Sequence, residues 1–61
     1  MNTITQIESI RVKNGQSAEE AKNDLTAQLT DLGILNDEIL SAVWTLHNGR
    51  VWEVEITSYE F

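Results

Sequence analysis

The chain contains no cysteine, so neither a disulfide framework nor a thiolate metal site can supply the staple on which small domains often depend. Association with another chain is the remaining common route to added stability. There is one histidine, His47, and no glycine-rich phosphate loop. The partnered groups on which nucleophilic or general acid–base catalysis rests are therefore missing, and a non-catalytic role without cofactor or metal is expected. Basic residues are also few: four Lys and Arg stand against ten Asp and Glu, a net charge of −6. That balance disfavours sequence-independent binding to nucleic-acid phosphates or anionic lipid, and leaves basic protein partners open. No stretch approaches the ~18 apolar residues of a membrane span. The opening Met-Asn-Thr-Ile-Thr-Gln lacks the positive n-region and apolar h-region of a signal peptide, and a cytoplasmic location is expected.

What is present points to one ordered domain, residues 1–61. The hydrophobic fraction is 41% and only 23% of residues are charged, a composition that can support a core. A chain of this size buries only about 60% of the surface its unfolded form exposes, so its stability should be marginal.

The stretch from Leu40 to Phe61 reads as a β-hairpin around Asn48-Gly49. A two-residue loop there would place Trp44 opposite Glu53 and mix the two faces. A three-residue loop over His47, Asn48 and Gly49 instead pairs Leu46 with Arg50, Trp44 with Trp52, Ala42 with Val54 and Leu40 with Ile56. One face then holds Leu40, Ala42, Trp44, Leu46, Trp52, Val54 and Ile56. The other holds Ser41, Thr45, Glu53, Glu55 and Thr57 together with Val43 and Val51.

Upstream, Thr3 to Lys13 is rich in β-branched residues and reads as a strand. Ile4, Ile10 and Val12 share a face but Ile7 does not, which implies a bulge near Gln6 to Ser9 or a second apolar surface outside the sheet. After the Asn14-Gly15-Gln16 turn, Ser17-Ala-Glu-Glu20 forms a capping box. Ala18, Ala21, Leu25, Leu29 and Leu32 keep the 3.6-residue period of a helix over residues 18–32, closed by Gly33. Ile34 and Leu35 are expected to tuck beneath its C-terminal end, and Asn36-Asp37-Glu38 to turn into the hairpin. The order β-α-β-β defines an α+β fold, a two-layer sandwich with one helix packed on a three-stranded antiparallel sheet of order 1-3-2.

Several residues invite a chemical reading. His47 has no nucleophile or fixed carboxylate expected beside it and reads as a solvated turn residue. Asp37 and Glu38, with Asp31, lack the spacing of a calcium loop and read as a polar turn. Glu53 and Glu55 follow the alternation of any half-buried antiparallel strand. Trp44 and Trp52 could stack a flat, flavin-like ligand, although filling the core under the small Ala18 and Ala21 is the simpler role. The outward sheet face is the candidate interaction surface: Val43, Val51, Glu53, Glu55, Tyr59 and Phe61, with Ile7 beside them, form an apolar patch rimmed by acids.

Ser17-Ala-Glu-Glu-Ala21, followed by a hairpin ending Gly49-Arg-Val-Trp-Glu-Val-Glu-Ile56, resembles the PepSY type of small domain, in which a helix with an acidic start precedes such a hairpin. In element order and size the chain is similar to the dodecins, small flavin-binding assemblies. The expectation from the residues themselves is a cytoplasmic protein-interaction domain that binds a second copy or another protein. Two alternatives accompany it: a phage-type acidic inhibitor on a basic host-protein surface, and a carrier that holds a flavin-like ligand between the tryptophans.

Overall fold

A computed structural model describes residues 2–60. Its elements are β1 (Asn2–Arg11), α1 (Ala18–Asp31), α2 (Asn36–Leu40), β2 (Val43–His47) and β3 (Val51–Glu60). The strands form one sheet of order β1-β3-β2 with both neighbouring pairs antiparallel. This is the expected α+β arrangement, with β3 central and α1 packed on one face. Among the described residues no helix is long and apolar enough to cross a membrane.

The capping chemistry sets α1. Ser17 Oγ accepts from the Glu20 amide at 3.1 Å, and the Ser17 amide donates to Glu20 Oε1 at 3.4 Å. Two orphan donors of the first turn are thereby satisfied. At the other end Gly33, at φ 89°, donates to Thr30 O, and Ile34 donates to Leu29 O. These are the two crossed bonds of a Schellman motif, for which a positive φ suits glycine. The helix therefore ends a residue earlier than its apolar stripe, and Leu32 is a C-cap left 66% exposed rather than part of the buried face.

The core is small: Ala21, Leu25 and Leu29 of α1, Ile39 of α2, and Val54 and Ile56 of β3. Ile10, Ile34, Ala42 and Trp44 pack at its margin. Ile34 thus tucks in as expected, whereas Leu35 remains exposed.

The short helix α2 replaces the expected turn at Asn36-Asp37-Glu38. Leu35 O accepts from the Glu38 and Ile39 amides, and Ser41 N donates to Asp37 O. The Leu35 amide donates to Glu38 Oε1 at 3.4 Å, half of a capping box whose other half a leucine side chain cannot supply. One turn of helix directs Ile39 into the core and leaves Leu40 76% exposed. Leu40 is consequently neither in the hairpin nor opposite Ile56, and β2 begins only at Val43.

The hairpin register also differs from expectation. Leu46 pairs with Trp52, Trp44 with Val54 and His47 with Val51, so Trp44 does not face Trp52, nor Ala42 Val54, nor Leu46 Arg50. The three loop residues are Asn48, Gly49 and Arg50. Asn48 and Gly49 both have positive φ, 53° and 69°, the mark of a primed turn whose twist suits a hairpin. Arg50 is the additional residue. Its amide closes the turn on His47 O at 2.9 Å, while its carbonyl accepts from Val12 N at 2.7 Å, extending the β1–β3 ladder. The register moves by two residues, an even number, so every side chain within β2 and β3 keeps its expected face.

Along β1 the pairing with β3 is regular from Asn2↔Glu60 to Arg11↔Val51, with no bulge. Ile7 accordingly lies on the outward face, the second of the two expectations. Fourteen helical residues span about 21 Å, whereas ten strand residues span about 34 Å. The helix is too short to roof the whole ladder, and Ile4, although on its side of the sheet, is 52% exposed.

Candidate functional site

The outward face follows from the register. Across β1, β3 and β2 it presents three rows: Arg11–Val51–His47, Ser9–Glu53–Thr45 and Ile7–Glu55–Val43. Both helices are on the opposite side, so among the described residues nothing roofs this face. Ile7 is 58% and Val43 62% exposed, and Val51 is half-buried. Glu53 and Glu55 are exposed, as the alternation implies. Of the residues expected to share a surface, Val43, Val51, Glu53 and Glu55 lie on this face, with Ile7 beside them. Tyr59 is opposite Thr3 in the ladder; its side chain and the whole of Phe61 lie outside the described residues.

His47 ends β2 rather than entering the loop. Its Nε2 lies 3.7 Å from Glu53 Oε1, with both side chains about half exposed. An exposed ion pair of that kind contributes little, about 0–1 kcal/mol when charged. Asp37 and Glu38 occupy the first turn of α2. Glu38 is used structurally, since its carboxylate accepts from the Leu35 amide and from Ser58 Oγ. Among the described residues, no three or more His, Asp or Glu gather closely enough to hold a metal ion.

The tryptophans are diagonal neighbours across the hairpin. Their ring centroids are 6.0 Å apart and their planes meet at 85°, an edge-to-face pairing that contributes about 0.5–1.5 kcal/mol beyond area burial. Trp52 Nε1 donates to Ala18 O at 2.7 Å, and Trp44 Nε1 to Ile39 O at 3.4 Å. Each indole thus ties one helix to the sheet. Lys22 Nζ lies 5.0 Å from one ring centroid and 5.3 Å from the other, within cation–π range of both. Perpendicular rings beside an ammonium group do not form the two parallel faces between which a flat ligand stacks.

Sequence reasoning missed one feature. Three of the four basic residues, Arg11, Lys13 and Arg50, line a single concavity of ≈ 460 Å³ with the turn glycines Gly15 and Gly49. None of the three has a carboxylate within 4 Å among the described residues, where His47–Glu53 is the one ion pair. The lining holds no carboxylate, hydroxyl or imidazole, so the concavity presents cations that would attract an anion. Its signal in the sequence is the pair Arg11 and Lys13 before one turn and Arg50 after another, which only the β1–β3 register brings together.

Comparison with known proteins gives no match: no family model fits the chain, and no curated protein or solved structure matches it.

Proposed function

We propose that this is a non-catalytic, cytoplasmic protein-interaction domain that works as a homodimer and meets its partners through the sheet. The observation that carries the reading is the one-sided architecture. All helical cover lies on one face, and the other exposes Ile7 and Val43 amid an acidic rim. A core of six buried residues among those described gives association a thermodynamic role as well, since burial between copies adds what a small domain lacks.

A second reading, an inhibitor that occupies a basic protein surface, is favoured by charge segregation. With Arg11, Lys13 and Arg50 gathered at one end and Lys22 set against the tryptophans, the acids elsewhere are little interrupted. Such a complex weakens as salt rises.

Sedimentation equilibrium over a wide concentration range, with thermal melts at the same concentrations, tests the homodimer. A dimer whose melting temperature climbs with concentration is expected. A monomer with a constant melting temperature overturns it.

A further inference from the structure

We infer that two copies of this chain join through β1, edge to edge and antiparallel, about a two-fold axis at Ile7, extending the sheet to six strands. This rests on the homodimeric reading above and specifies its surface and register. The argument begins with what the edge offers. β1 is an outer strand of ten residues, regularly paired with β3 along its length. Natural sheets blunt such edges with prolines, bulges, charges or short strands. The other edge, β2, is blunted by length, having five residues. β1 has no proline and no bulge, and Asn2 to Ile7 carries no charge.

The hydrogen bond from Val12 N to Arg50 O at 2.7 Å fixes which backbone groups are free. It marks Val12 and Arg50 as a hydrogen-bonded pair, and such pairs alternate along an antiparallel ladder. In β1 the even residues therefore bond β3. The odd residues Thr3, Thr5, Ile7, Ser9 and Arg11 turn their amides and carbonyls to the open edge.

A two-fold axis perpendicular to the sheet keeps each side chain on its face, so opposed residues must be separated by an even number of positions. Centring on Ile7 opposes Ile7 to its own copy, Gln6 to Glu8, Thr5 to Ser9, Ile4 to Ile10 and Thr3 to Arg11. The strand Thr-Ile-Thr-Gln-Ile-Glu-Ser-Ile-Arg is thus palindromic in character: isoleucine meets isoleucine, hydroxyl meets hydroxyl, and an amide meets a carboxylate. Gln6 Nε2 already donates to Glu8 Oε1 within the chain at 3.0 Å, and the same donor and acceptor face each other across the new seam. Neighbouring registers lose this match. Centring on Gln6 puts Ile4 against Glu8, centring on Thr5 puts Ile4 against Gln6, and centring on Glu8 opposes two like charges, which is destabilising. In the Ile7 register every free odd amide and carbonyl meets another odd residue, and both copies keep their helices on one side. The bare faces then merge into a surface twice as wide.

Because the chain has no cysteine, single cysteine variants report the register directly. Ile7→Cys brings two thiols together across a hydrogen-bonded pair, with Cα atoms about 5.5 Å apart, inside the range a disulfide spans. Thr5→Cys separates its thiols by four residues, about 13 Å along the strand. Under mild oxidation at dimer-forming concentration, Ile7→Cys is expected to cross-link and Thr5→Cys is not. Separately, Thr5→Pro removes an outward amide that does not bond β3. It should weaken the dimer by roughly tenfold or more, two hydrogen bonds being lost by symmetry, while far-UV circular dichroism stays unchanged. Cross-linking of Thr5→Cys in place of Ile7→Cys overturns the register. Cross-linking of Val43→Cys with Ile7→Cys unlinked overturns edge pairing but keeps the homodimer, with its contact on the bare face. A wild-type monomer at all concentrations overturns both.

Discussion

The two faces of β3 invite comparison because the same strand builds both. Toward the helices it turns Trp52, Val54 and Ile56, and away from them Val51, Glu53, Glu55 and Thr57. Val54 and Ile56 are 0% and 1% exposed, whereas Val43, on the outward face of the neighbouring strand, is 62% exposed. Val54 and Val43 are chemically identical side chains on one sheet, and what separates them is the roof. The lesson is that a valine in a strand has no fixed energetic role. Its burial, and hence its contribution of roughly 25 cal/mol per Å² removed from water, is set by what covers it.

The sharpest way to break the comparison is to make the same change on both faces. Val54→Thr keeps the shape and adds a hydroxyl where backbone groups are already paired and no water reaches. It should cost about 1–3 kcal/mol, a large part of what a domain this small holds, read as a lower urea midpoint with an unchanged slope. An unchanged midpoint would mean that the helix does not seal this face.

Trp52→Phe gives the next largest effect. It keeps an aromatic ring near Trp44 but removes the donor that reaches Ala18 O at 2.7 Å. A loss of about 1 kcal/mol is expected from one hydrogen bond, together with poorer packing at the first turn of α1. If the indoles were a ligand slot rather than a tie between layers, the same variant would leave stability untouched and alter only the response of Trp44 fluorescence to added flavin.

How much of this could be read from the sequence depended on whether a local rule or a distant partner decided the outcome. The start of α1 was legible because Ser17 and Glu20 sit three residues apart and satisfy each other. The strand order and both sheet faces were legible because side-chain alternation has a period of two. The same period hid the register: a shift of two residues is invisible to it, and the decision lay with Arg50, whose carbonyl is claimed by Val12 on another strand. The helix α2 was missed because five residues are too few to show a period, and its purpose, burying Ile39 beside Val54 and Ile56, is tertiary. Among candidate site residues, Val43, Val51, Glu53 and Glu55 were placed on one face by parity alone. The clustering of Arg11, Lys13 and Arg50 needed the β1–β3 alignment and had no local signature.

The smallest expected effect on stability is the most informative about role. Val43→Thr, the counterpart of Val54→Thr, places its hydroxyl in water on a face that none of the described residues covers, so the monomer should change by no more than about 0.5 kcal/mol. Association separates the possibilities further. If copies meet along β1, Val43 is remote from the seam, since β3 lies between the two strands, and the dimer constant should also hold. If they meet face to face, the substitution puts a polar group into an apolar interface and the dimer weakens. An unchanged fold with an unchanged dimer would therefore leave the bare face, doubled in width by edge pairing, as the surface that awaits a different protein. A weakened dimer with an unchanged fold would assign that face to the second copy.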